Sequence, residues 1–333
     1  MIEKTFRSYL ITEKENKVYE GSIVEKSIAD LPKHDVLIEV KYSSLNYKDA
    51  LSASGNKGVT KNYPHTPGVD AAGIIVESKN NVFKAGEKVI VTGHDLGMNT
   101  SGGFQKYIRV PSEWVVKLPE NLSLKESMIY GTAGFTAALS VDKLVSNTVE
   151  IDQGKILVTG ATGGVGSTAI GILNKLGYTV VAATGKLDAK DLLESIGASE
   201  VIDRELINDT SGKPLLKSQW LGVIDTVGGN TLSTAIKMTQ YGGHITTCGN
   251  VAGHKFDASV YPFILRGITL HGIDSVDCPQ DLRQKIWNNL SEDWKTDTLF
   301  NTIQEIPLED VSKKIDTMLN GSLKGRILIN LDQ

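Results

Sequence analysis

At 333 residues the chain has room for two domains, each large enough to bury its own core. A hydrophobic fraction of 40% and a charged fraction of 22% are those of an ordinary globular protein. A net charge of −4 without a basic run excludes the electrostatic footprint of a nucleic-acid binder. No stretch approaches a membrane span, and the opening Met-Ile-Glu-Lys-Thr-Phe-Arg has no apolar leader, so a cytoplasmic location is expected.

The first hundred or so residues read as β-structure. Val36 to Tyr42 alternates, as does Val69 to Val76, and Lys88 to Thr92 is a short strand. Glycine and proline turns separate these strands, which suits a small, twisted, barrel-like sheet. The stretch from Ser43 to Ala50 interrupts it with a turn and a short helix. Ser123-Leu-Lys-Glu126 fits a capping box and opens a helix through Gly131 towards Leu144, which places a domain boundary near residue 124.

Strand and helix then alternate. Ile156 to Val158 is a buried parallel strand, Ser167 to Leu176 a helix ended by Gly177, and Tyr178 to Ala183 a second strand. Further strands are expected at 199–203, 221–227 and 244–248, with a helix over 228–240. Repeated βα units imply a parallel sheet covered on both faces. After Leu265 come a strand at 268–273, helices at 281–290 and 310–319, and a closing strand from Arg326 to Leu331 expected to rejoin the N-terminal sheet. The domains so read are 1–124 with 268–333 returning to it, and 125–267.

The turn after Val158, Thr159-Gly-Ala-Thr-Gly-Gly-Val-Gly166, departs from strict G-x-G-x-x-G: Ala161 stands first, followed by Gly163 and Gly166. Strand, glycine turn and helix N-terminus together accept a pyrophosphate. Where an NAD site usually carries a carboxylate, this chain has Thr184-Gly185-Lys186, which suits a 2′-phosphate and favours NADP(H) over NAD(H). In the competing reading Lys186 is a solvated surface residue and Asp188 reaches back to the ribose.

Cys248 and Cys278 are the two cysteines, and no histidine is spaced with them as a metal ligand set, so no metal is expected. Without a Lewis acid, alcohol oxidation is disfavoured, whereas hydride transfer to an already polarised acceptor remains feasible.

Ser44-Leu-Asn-Tyr-Lys-Asp-Ala50, Gly131-Thr-Ala-Gly-Phe-Thr136, Thr159 to Ser167, Ile224-Asp-Thr-Val-Gly228, Pro262-Phe-Ile-Leu-Arg266 and Gly272-Ile-Asp-Ser275 follow one another across nearly the whole chain. In that order they resemble the medium-chain dehydrogenase/reductase superfamily, and within it the zinc-free quinone oxidoreductase group that includes acryloyl-CoA reductases. The resemblance implies an α/β fold with a GroES-like β-barrel domain and a Rossmann domain built on a doubly wound parallel sheet. It implies cofactor contacts at Tyr47, Thr132 and Thr136. Pyrophosphate contacts fall at Thr162, Gly163, Gly164 and Val165, and 2′-phosphate contacts at Thr184, Gly185, Lys186 and Arg204. Asn250, Ile264 and Ser275 would line the nicotinamide half, and Arg326 the outer cleft. Three departures stand out: Lys186 where many relatives have arginine, Asn250 in place of an apolar residue, and Asp70 where zinc-dependent members carry a metal-pocket glutamate.

The activity implied is hydride transfer from NADPH to a small-molecule acceptor, a quinone or an α,β-unsaturated carbonyl such as acryloyl-CoA. Charge would build on the carbonyl oxygen, and a proton must reach the α-carbon. Tyr47 and Asn46 are the candidate catalytic donors, with structural roles or a water as the alternative. Asp49 reads as a helix cap, and Arg266 either holds a substrate anion or braces its own loop. A non-catalytic NADPH-binding protein is the competing function, and a homodimer joined at a sheet edge of the nucleotide domain is expected from the resemblance.

Overall fold

The computed structural model describes residues 4–147 and 151–333; the first three residues of the N-terminal reading above lie outside them. Two strands, β1 (Thr5–Glu13) and β2 (Tyr19–Ser27), pair antiparallel as a hairpin. Then follow β3 (Val36–Ser44), helix α1 (Tyr47–Ala53), β4 (Asp70–Ser78), β5 (Lys88–Thr92), β6 (Tyr107–Val110) and β7 (Val115–Lys117). Helix α2 (Leu124–Ser146) opens on the expected capping box. The Ser123 amide donates to Glu126 Oε2 at 2.7 Å, and the Glu126 amide to Ser123 Oγ at 3.1 Å.

The alternating segment supplies β8 (Lys155–Val158), α3 (Gly164–Lys175), β9 (Thr179–Thr184), α4 (Lys190–Ser195), β10 (Glu200–Asp203), β11 (Trp220–Asp225), α5 (Gly229–Met238), β12 (Thr239–Thr247), α6 (Tyr261–Arg266) and β13 (Thr269–Gly272). The chain ends through α7 (Gln280–Ser291), β14 (Ile303–Ile306), α8 (Val311–Leu319) and β15 (Arg326–Asn330). Among the described residues no helix is long and apolar enough to cross a membrane.

The chain divides into two units, one of residues 1–132, 276–291 and 302–333, the other of residues 133–275 and 292–301. In the first, a seven-stranded sheet runs β14-β15-β3-β4-β5-β7, with β6 paired to β3. It is GroES-like. β15 pairs antiparallel with β3, so the C-terminal strand joins the N-terminal sheet. Ile38, Val40, Ile75, Val89, Ile108, Ile327 and Ile329 form the middle of its core, closed by Val311 and Ile315 of α8.

The second unit is a six-stranded parallel sheet in the order β10-β9-β8-β11-β12-β13, the doubly wound Rossmann order. Leu157, Val181, Val223 and Ile245 meet the apolar faces of its helices, consistent with strands buried on both sides. Three stretches change sides relative to the sequence reading: 125–132 falls in the first unit, and 268–275 and 292–301 in the second. β13 pairs in parallel with β12, His244 opposite Thr269 through Thr247 opposite Gly272. The segment from 268 to 275 therefore belongs to this sheet and not to the returning part of the first domain, because its backbone ladder lies there.

Candidate functional site

Strand β8 is fully buried from Ile156 to Val158, and the chain turns sharply after it. Gly160 makes the turn at φ +59, where a Cβ would also stand 2.2 Å from Thr226 Oγ1. The Gly163 amide closes it onto the Gly160 carbonyl at 2.9 Å. Ala161, expected at the first place of the glycine fingerprint, does not turn the chain. It is buried, and its amide donates to Ala183 O at 3.2 Å, which locks it to the neighbouring strand end. The working pattern is thus Gly160, Gly163, Gly166. A Cβ on Gly166 would meet Gly160 O at 2.5 Å and Ala161 Cα at 2.9 Å, so the third glycine lets α3 sit against the turn. Gly163 is the extended N-cap of α3. The fold thereby gathers Thr162, Gly163, Gly164 and Val165 at the start of a 12-residue helix, whose first amides have no partner within the helix and attract an anion.

Asp225, which was not singled out from sequence, fixes the floor of this region. Its fully buried carboxylate accepts from Thr159 Oγ1 at 2.8 Å, Thr247 Oγ1 at 3.1 Å, and the amides of Val227 at 3.3 Å and Gly228 at 2.9 Å. Burial pushes its carboxyl above the usual range. It ties together the carboxyl ends of β8, β11 and β12. A lone aspartate closing the apolar run Trp220-Leu-Gly-Val-Ile is the signal that could have found it.

At the next strand ends, β9 and β10 run in register with Thr184 opposite Asp203. Thr184, Gly185 and Arg204 therefore come together, with Lys186 next along the chain. Thr184 is buried and its hydroxyl accepts from the Lys186 amide at 3.0 Å. A Cβ on Gly185 would meet Arg204 Cδ and Nε at 2.9 Å, so the arginine stem crosses the glycine. Two cations and a hydroxyl at a strand end can hold a phosphate. Asp188 is exposed on the following turn.

Asn250 is exposed beyond β12, Ile264 is 69% exposed on α6, and Ser275 follows β13. Thr136 is buried within α2, where its carbonyl accepts from Ser140 Oγ at 2.9 Å. Arg266 braces its own surroundings: its guanidinium donates to the carbonyls of Lys237 at 2.7 Å, Thr239 at 3.0 Å and Leu216 at 2.5 Å. That use matches the bracing alternative.

In the first unit, α1 starts at Tyr47, whose side chain is 47% exposed. Asp49 caps that helix through the Asn46 amide at 2.8 Å and also accepts from the Gly68 amide at 3.0 Å and the Val69 amide at 2.8 Å. Burial first, and then the charge of Asp70, push its carboxyl up to about 7.

Behind Tyr47 lies a buried polar network. Asp70 accepts from Ser44 Oγ at 2.5 Å, Asn46 Nδ2 at 2.7 Å, Thr132 Oγ1 at 2.6 Å and the Thr132 amide at 2.9 Å. Arg326 donates through Nε to Ile129 O at 3.1 Å, through Nη1 to Asn46 Oδ1 at 3.1 Å and Leu45 O at 3.4 Å, and through Nη2 to Ser44 Oγ at 2.9 Å and Tyr130 O at 3.3 Å. Gly131, at φ +51, interrupts α2 here. A Cβ on it would stand 2.4 Å from Asp70 Oδ2 and 2.8 Å from Arg326 Nη2.

Three expectations change. Arg326 does not face an outer cleft: it is 5% exposed, and its five donor positions match five acceptors inside the domain. Asn46 is not a free catalytic donor, because Nδ2 is spent on Asp70 Oδ2 and on Ser44 O at 3.2 Å, while Oδ1 accepts from Arg326. Thr132 gives its hydroxyl proton to Asp70, which leaves only acceptor capacity towards a cofactor. Of the sequence candidates in this unit, Tyr47 alone is exposed.

The described residues do not offer a tetrahedral zinc its ligands. Among the described residues no three histidine, cysteine, aspartate or glutamate side chains gather as a ligand set. His65 Nε2 lies 2.9 Å from Gly97 O, and burial pushes the Cys248 thiol up to about 12.

Residues 32–120 match the alcohol dehydrogenase GroES-like domain family, and residues 164–292 the zinc-binding dehydrogenase family. The chain is 47% identical over 306 residues to YhfP of Bacillus subtilis, which carries a provisional quinone oxidoreductase name; the match covers 92% of this chain and 93% of that protein. It is 38% identical over 313 residues to the acrylyl-CoA reductase AcuI of Ruegeria pomeroyi, covering 94% and 95%. The crystal structure of yhfP with NAD bound superposes with a TM-score of 0.95 at 44% identity, covering 98% of this chain and 99% of that one. The yhdH oxidoreductase of Salmonella enterica in complex with NADP gives 0.94 at 38% identity, covering 97% and 99%.

Proposed function

Since the chain belongs to the medium-chain dehydrogenase/reductase superfamily, in its quinone oxidoreductase and acrylyl-CoA reductase group, we propose that it moves hydride from NADPH to an activated acceptor without a metal. The acceptor class is a quinone or an α,β-unsaturated carbonyl such as an acryloyl thioester. The observation that carries the choice of nucleotide is the cluster of Thr184, Lys186 and Arg204 at the ends of β9 and β10, with no carboxylate on the last residue of β9. An NADP-bound relative supports it, and an NAD-bound relative marks the alternative. Support for a metal-free reaction comes from the donor set: among the described residues no three such side chains gather for a tetrahedral site.

The bound dihydronicotinamide supplies the hydride. This chain's residues do the rest. The first amides of α3 hold the pyrophosphate, and Lys186 and Arg204 hold the 2′-phosphate. The Tyr47 phenol donates to the carbonyl oxygen as negative charge builds there, or delivers the proton to the α-carbon. Asn46 and Asp49 position that phenol by fixing the first turn of α1. A thioester or quinone is already polarised, so one donor suffices where an alcohol would need a Lewis acid.

We further infer a cytoplasmic homodimer, for which β10 and β13, the outer strands of the parallel sheet among the described residues, offer edges. The deciding assay follows NADPH and NADH oxidation against acryloyl-CoA, crotonyl-CoA and simple quinones. Turnover with NADPH preferred supports the proposal. Nucleotide uptake without oxidation on any acceptor supports the non-catalytic reading, and zinc that the activity requires overturns the metal-free one.

A further inference from the structure

We propose that Glu205 is a positioning and charge-balancing residue that weakens discrimination between phosphorylated and unphosphorylated nicotinamide nucleotides by holding a carboxylate against Arg204. The inference rests on the 2′-phosphate reading above and deepens it.

Arg204 lies across Gly185, with Nε 2.9 Å and Cζ 3.0 Å from where a Cβ would stand, so its guanidinium belongs to the surface that receives the adenosine ribose. Glu205 Oε1 is 3.3 Å from Arg204 Nε. The carboxylate is anchored there: its Oε2 accepts from Asn208 Nδ2 at 2.9 Å, and Asn208 Oδ1 in turn accepts from Asn230 Nδ2 at 2.7 Å at the start of α5. The Glu205 backbone is fixed as well, its amide donating to Asp203 Oδ1 at 3.0 Å. A relay of two asparagines and a cap thus keeps one negative charge beside the cation.

The chemistry of the two nucleotides separates at this point. A 2′-phosphate carries up to two negative charges and has no donor for a carboxylate, so it meets repulsion from Glu205 as well as attraction from Arg204 and Lys186. A ribose 2′-hydroxyl is a donor and tolerates the carboxylate. Glu205 therefore offsets part of the gain that Arg204 offers NADPH and leaves NADH unpenalised. Side chains 70% and 61% exposed place the interaction in high dielectric, where it is screened by salt.

The experiment compares Kd and kcat/KM for NADPH and NADH in wild type, Glu205→Gln and Arg204→Ala, at low and high ionic strength. Gln keeps an acceptor for Asn208, so the relay survives. The expected result is a rise of about three- to tenfold in the NADPH-over-NADH ratio for Glu205→Gln at low salt, carried by NADPH and shrinking at high salt. An unchanged or lowered ratio in that variant, with Arg204→Ala reducing it, overturns the proposal and leaves the phosphate site standing. An unchanged ratio in Arg204→Ala overturns both.

Discussion

Replacing Arg326 with methionine tests whether the network behind Tyr47 is architecture or ligand contact. Arg326 is 5% exposed, and removal of its guanidinium leaves the carbonyls of Ile129, Leu45 and Tyr130 without their cationic donor. It also strips Asn46 Oδ1 and Ser44 Oγ, the two atoms that relay its charge towards Asp70. Asp70 is itself fully buried, so the variant retains a carboxylate with no cation joined to it through those relays. Breaking a buried charge pair from one side costs about 3–5 kcal/mol. At about 2–4 °C per kcal/mol, Tm should fall by about 6–20 °C. Differential scanning calorimetry measures the fall, and fluorescence titration well below the variant's Tm measures NADPH affinity, which should stay within about threefold of wild type. A Tm within about 2 °C of wild type together with a tenfold or greater loss of NADPH affinity would refute the reasoning, because it would put the guanidinium on the ligand.

Other perturbations probe separate parts of the account. In Gly166→Ala the new Cβ meets backbone atoms at 2.5 and 2.9 Å, which cannot rotate away; about 1–3 kcal/mol of overpacking predicts about 5- to 150-fold weaker NADPH binding by titration, and unaltered binding would show that α3 does not seat the pyrophosphate. Asp49, raised to about 7 in the folded protein from about 3.9 in an unfolded chain, binds more protons folded than unfolded between those values. Its contribution is therefore complete below about pH 4 and lost as pH rises through 7. Urea midpoints across that window should show wild type losing stability relative to Asp49→Asn, and the reverse slope would contradict the assigned shift. Tyr47→Phe should lower kcat/KM about a hundredfold on acryloyl-CoA, the low end of general-acid effects, with little change on a quinone. A kcat/KM unchanged from wild type on both acceptors would remove the phenol from the chemistry.

Much of the nucleotide domain was legible because its strands are short apolar runs bracketed by glycines. Ile156–Val158 and the strand ending at Thr184 emerge where that pattern places them. Strand β12 begins earlier than expected, at Thr239, because Thr-Gln-Tyr-Gly-Gly carries no apolar alternation and is extended by its pairing with β11 across a register shift. The fingerprint's first place fell on Ala161, one residue after the glycine that turns the chain, because a motif records spacing whereas the positive φ at Gly160 is a property of the folded backbone. Arg326 shows the deeper limit. An arginine opening an apolar C-terminal strand reads as a surface cation, and only the packing of Ser44, Asn46, Gly131 and Asp70 around it reveals a core residue. Local pattern carries the elements; the polar partners come from residues nearly 200 or more positions away.

The most direct test of hydride delivery uses NADPH deuterated at C4 of the nicotinamide, with acryloyl-CoA as acceptor. The account predicts deuterium at the β-carbon of the propionyl product and a solvent-derived proton at the α-carbon, read by mass spectrometry and NMR. Product lacking deuterium at the β-carbon with either C4 epimer, or no product from enzyme shown to bind NADPH, would contradict it.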